Sequence, residues 1–130
     1  MELTTAIRLK AAADSTLWTA IGGRFWYAQG PPTTTMPCIT YHIIGHIPTH
    51  AFSEGSSFEN AVVQFSIFDK NRDITNITTI QGYLDDVFNR ASLTYGTKTQ
   101  IGCIRVRTGQ PERLEDCWQW TTDYEIEYTS

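Results

Sequence analysis

The sequence predicts an α+β domain: a mainly antiparallel, mixed β-sheet covered on one face by an N-terminal helix and a central helix. Three patterns predict it. Asn60–Phe68 alternates, which puts Ala61, Val63, Phe65 and Ile67 on one side of a strand. After the polar Asp69–Asp73 the period lengthens, and Ile74, Ile77, Ile80, Leu84, Val87 and Phe88 line one stripe of a helix over Asp73–Asn89. Near the C-terminus, Trp118, Trp120, Thr122, Tyr124, Ile126 and Tyr128 share one strand face. Gln119, Thr121, Asp123, Glu125 and Glu127 share the other, the pattern of a strand with one wet side. Ser57–Arg90 therefore reads as the scaffold: an apolar strand face and an apolar helix stripe that must meet in one core.

The remaining elements follow in order. Glu2–Ala13 is Ala-rich and carries a stripe of Leu3, Ala6, Ile7, the Lys10 stem and Ala11, which predicts the first helix. Asp14-Ser15 can cap a short turn through Leu17, Trp18 and Ile21, and Gly22-Gly23 stops it, because glycine takes a left-handed terminal conformation cheaply. Arg24–Tyr27 is a short aromatic β segment, and Gly30–Thr35 is a Pro- and Thr-rich surface loop. Met36–Ile44 resumes as a strand, with Pro37 at its start where a missing N–H is tolerated. Gly45–Ser57 is expected to be a long loop or a protruding β-arm. Beyond the central helix, Ser92–Gln100 and Ile101–Arg107 pair about a turn near Gly96, with the inward face of the second strand undecided. Gly109–Glu112 is a turn.

At 130 residues the chain is expected to be one domain, 1–130, large enough to bury a core without disulfides or a metal. Its net charge of −4 and pI near 5.2 are the opposite of a nucleic-acid reader's usual balance. Cys38, Cys103 and Cys117 lie far apart with no CxxC spacing, which argues for free buried thiols and a reducing compartment. No run approaches the roughly 18–20 apolar residues of a membrane-spanning helix, and synthesis in the cytoplasm is expected.

No constellation carries an obvious chemistry. Gly22-Gly23 is followed by neither GxGxxG nor GKS/T, so it reads as a helix stop rather than a phosphate loop. His42, His46 and His50 recur at four-residue intervals, but Ile43-Ile44 is β-like and Gly45 and Pro48 break any helix, so no metal is expected. Asp85-Asp86 and Glu115-Asp116 are adjacent carboxylates. Helix neighbours diverge by about 100°, and a solvated face or turn is the expected role. No GxSxG elbow frames a serine, and Cys103 and Cys117 sit inside strands as small core groups. Arg105 and Arg107, with Lys98 and Arg113, form the one basic stretch. The two strand arginines are expected to share a face and to pair with Glu125 and Glu127 rather than to bind nucleic acid. Catalytic residues, cofactors and metals are thus all expected to be absent. The surplus of aromatics, Phe25-Trp26-Tyr27 with the Trp118–Tyr128 stripe, hints at self-association.

The order of landmarks resembles the tail terminator, or tail-completion, family of tailed bacteriophages. The Ala-rich helix is followed by Ile21-Gly22-Gly23-Arg24-Phe25-Trp26-Tyr27, a Pro-rich loop, and Met36-Pro37-Cys38-Ile39-Thr40-Tyr41, where that family shows a proline, β residues and a tyrosine. The Val62–Phe68 strand, the Asp73–Asn89 helix and Asp123–Tyr128 complete the match. The resemblance spans nearly the whole chain, through short motifs whose weight lies in their order. The central helix carries Ile and Thr where the family more often has Ala and Leu.

The resemblance implies a structural virion protein at the tail or neck. Such subunits form a ring, usually of six, that caps the tail tube, stops its polymerisation and meets the head-completion or connector proteins, with DNA passing through the lumen. Partners would be other copies of the chain, the tube protein and the connector, with no membrane and no sequence-specific DNA contact. The subunit or partner interface is expected on the arm, at His46, Ile47, His50, Phe52 and Glu54. A head-side stopper ring and a monomeric binding module with 45–57 as its ligand loop are the alternatives.

Overall fold

The computed structural model describes residues 2–28, 36–50, 57–70, 74–95, 98–114 and 116–129. Three helices, α1 (Glu2–Ala13), α2 (Ser15–Ala20) and α3 (Thr75–Phe88), accompany strands β1 (Phe25–Tyr27), β2 (Cys38–His50), β3 (Ser57–Asp69), β4 (Ala91–Tyr95), β5 (Lys98–Thr108), β6 (Glu112–Arg113) and β7 (Trp118–Thr129). They form one seven-stranded sheet in the order β1-β2-β3-β7-β5-β4, with β6 beside β7. Every pairing is antiparallel except β1 with β2, which is parallel. The class is α+β, as the periodicities predict.

One sheet face is covered. Ala61, Val63, Phe65 and Ile67 of β3 are all fully buried, as are Tyr124 and Ile126 of β7. Register aligns Phe65 with Tyr41 on one side and Thr122 on the other, so the inward positions form continuous rows across the central strands. Against them pack Ala6, Ile7 and Ala11 of α1, Leu17 of α2, and Ile77, Ile80, Leu84, Val87 and Phe88 of α3. Phe65 is the hub. Its ring lies 4.8 Å from Phe88, 5.6 Å from Tyr124, 5.9 Å from Tyr41 and 6.1 Å from Phe25, centroid to centroid. No helix is needed over the opposite face, where Gln64 donates from Nε2 to Asp123 Oδ1 at 3.1 Å.

Local signals hold where short-range chemistry decides. Asp14 caps α2 by accepting from the Leu17 N–H at 2.9 Å. Gly22 and Gly23 take φ of +60° and +72°, the left-handed conformation that ends the helix. Three expectations are corrected. Ile74 is not on the buried stripe: it is the N-cap of α3 and 43 % exposed, because the helix begins one residue later than its apolar period. Glu112–Arg113 is not only a turn but a two-residue strand on β7. Arg105 and Arg107 do not share a face, since β5 shifts register between them and one irregularity flips side-chain parity.

With no side-chain cap at its N-terminus, α3 is tied to the sheet from below: Asn76 Nδ2 donates to Oδ1 of the buried Asp69 at the end of β3, 3.1 Å away. This bond fixes the angle at which the scaffold strand hands over to the scaffold helix.

Candidate functional site

Beyond Ile43 the β2–β3 pair continues. A register shift between Ile43 and Gly45 is followed by steady antiparallel pairing from His46↔Ala61 to His50↔Ser57. β7 follows β3 to Phe58↔Thr129, so the β2–β3–β7 ladder continues beyond the buried Ala61 and Ile126. Of the expected interface residues, His46, Ile47 and His50 lie on this extension of β2. Phe52 and Glu54 lie outside the described residues, as does the turn expected near Gly96.

Ladder geometry explains Pro48. The Ile39 N–H donates to Arg24 C=O and Tyr41 C=O accepts from Ala28, so odd positions of β2 turn their backbone groups away from β3 before the shift. After it the parity reverses, and Pro48 falls where the backbone points to the open edge. A missing N–H there costs no ladder bond, and it blunts the edge against further strand pairing.

A cleft of about 370 Å³ lies between α1 and the β1–β2 edge, lined by Thr4, Thr5, Arg8, Tyr27 and Tyr41. Helical spacing sets its floor: Thr4, Thr5 and Arg8 stand three and four residues apart and share one side of α1. Arg8 donates from its guanidinium to the Phe25 C=O, and its Cζ stands 5.3 Å from the Trp18 ring centroid, a cation–π contact. Tyr41 donates its hydroxyl to Thr4 C=O at 3.1 Å, and Tyr27 meets Tyr41 edge-on at 5.4 Å. Burial raises the Tyr41 hydroxyl above its ordinary pKa, and the Arg8 charge opposes that rise. Tyr27 is 47 % exposed. Sequence reasoning missed this site. Its readable signal is Arg8 one turn from two threonines; the tyrosines that complete it arrive through tertiary packing.

At the other end of the sheet, Asp85 is not the solvated carboxylate expected of the Asp85-Asp86 pair. Tyr124, fully buried, donates its hydroxyl to Asp85 Oδ1 at 2.7 Å, and Arg105 NH1 reaches the same oxygen at 3.2 Å. Asn89 Oδ1 accepts from the Arg105 N–H at 3.1 Å. Arg105 therefore pairs with Asp85 of α3, because it projects from the helix-covered face opposite Tyr124. Asp86, one residue on, is exposed. Burial, then the Asp85 hydrogen bond, push the Tyr124 hydroxyl far above its ordinary range, so it stays a donor. The cluster is a polar latch between α3, β5 and β7.

Cys38, Cys103 and Cys117 are buried and unpaired. Burial pushes Cys103 up to about 12 and Cys38 up to about 11, from an ordinary 9.0, so neither is a thiolate nucleophile. Unfolded thiols release their protons near pH 9, while these two hold theirs until pH 11–12. Above pH 9 the unfolded state binds fewer protons, and stability falls as pH rises. Native protein should thus resist iodoacetamide at pH 8, and urea midpoints should decline between pH 9 and 12; rapid alkylation of folded protein would contradict the burial. Among the described residues no cluster of His, Cys, Asp and Glu has metal-binding geometry, and no helix is long and apolar enough to cross a membrane.

This two-layer α+β architecture, one helix layer on a mixed sheet, is shared with solved structures. One is a chain of the virion of a native gene transfer agent particle, with a TM-score of 0.81 at 14% identity, covering 99% of this chain and 96% of that one. A second solved chain gives a TM-score of 0.68 at 10% identity, covering 97% of this chain and 92% of its own length. No protein-family profile and no curated protein sequence matches the chain.

Proposed function

We propose that the chain is a structural protein of a phage-like virion and, more narrowly, a tail terminator. Copies form a ring, hexameric by the resemblance, that caps the tail tube, stops its growth and presents a surface to the head-connector proteins, while DNA passes through the lumen. The observation that carries this reading is the end-to-end likeness to a virion chain, which covers 99% of this chain and 96% of that one. The order of sequence landmarks points the same way independently.

The chemistry of the surface agrees. Burial holds the Cys38 and Cys103 thiols protonated. A net charge of −4 suits a lumen that lets DNA slide rather than grip it. The protein acts as an assembly subunit, not an enzyme, and its place is the tail or neck of the particle. A head-side stopper ring is the second reading. The two differ in partner, and pull-down with tail-tube protein against portal-side adaptor separates them.

Two experiments test the proposal. Native mass spectrometry of the purified protein, alone and with tube protein, should give a ring; a monomer at every concentration under both conditions would overturn it. Deleting Thr49–Gly55 should leave the thermal unfolding midpoint near wild type while weakening ring formation or docking to the tube. Unchanged assembly would make the hairpin end a passive connection.

A further inference from the structure

We draw no further inference here: the strongest candidate, the cleft between α1 and the β1–β2 edge lined by Thr4, Thr5, Arg8, Tyr27 and the buried Tyr41, carries none because nothing in the structure shows what fills it.

Discussion

Phe65→Ala should cost about 3–5 kcal/mol, the cost of an aromatic-to-alanine change at a site that cannot collapse. Phe65 is fully buried in the central strand, and four rings surround it: Phe25, Tyr41, Phe88 and Tyr124. Three of those rings come from strands fixed by ladder hydrogen bonds and one from the last turn of α3, so no single element can shift inward to fill the void. Urea denaturation should show a lower midpoint at similar slope, because the surface exposed on unfolding barely changes. Phe68→Ala is the control. Phe68 points to the helix-free face and is only half-buried, so its loss should be markedly smaller. Equal costs at the two positions would mean that the covered and open faces have been exchanged.

The same residue shows why much of the fold was legible in advance. Strand and helix periods are local quantities, and Ala61, Val63, Phe65 and Ile67, with the stripe from Ile77 to Phe88, write them without interruption. Caps are equally local: Asp14 and Gly22-Gly23 act within four residues of themselves. What the residues do not display is parity after an irregularity. The register shift in β5 separates Arg105 from Arg107, and nothing in Cys103–Thr108 marks where the extra residue sits. Arg105 itself keeps the register of Cys103, opposite the inward Tyr124, and that inward position is what gives it Asp85 of α3 as its partner. The cleft was hidden for a related reason. Arg8 and Tyr41 are thirty-three positions apart, and only the packing of α1 over the β1–β2 edge brings them together.

The carboxylate that looked most ordinary should then be among the most costly to remove. Asp85→Ala is expected to destabilise by about 2–3 kcal/mol, because it leaves the fully buried Tyr124 hydroxyl without its acceptor and strips Arg105 of its partner. Tyr124→Phe should cost less, about 1 kcal/mol, since Asp85 is partly exposed and keeps Arg105. Arg105→Met should cost least. Its side chain is 39% exposed, and an ion pair so open to solvent contributes about 0–1 kcal/mol. The order of the three isolates the physics: the dominant cost is an orphaned buried donor, not a lost salt bridge. A double-mutant cycle makes this quantitative, because in Tyr124→Phe protein the orphan no longer exists and Asp85→Ala should become cheap. If Asp85→Ala costs the same in both backgrounds, the latch between α3 and β7 is held by Arg105 instead. If all three single changes are near zero, the C-terminal end of α3 is fixed by the apolar packing of Leu84, Val87 and Phe88 alone, and the polar cluster only decorates a joint already made.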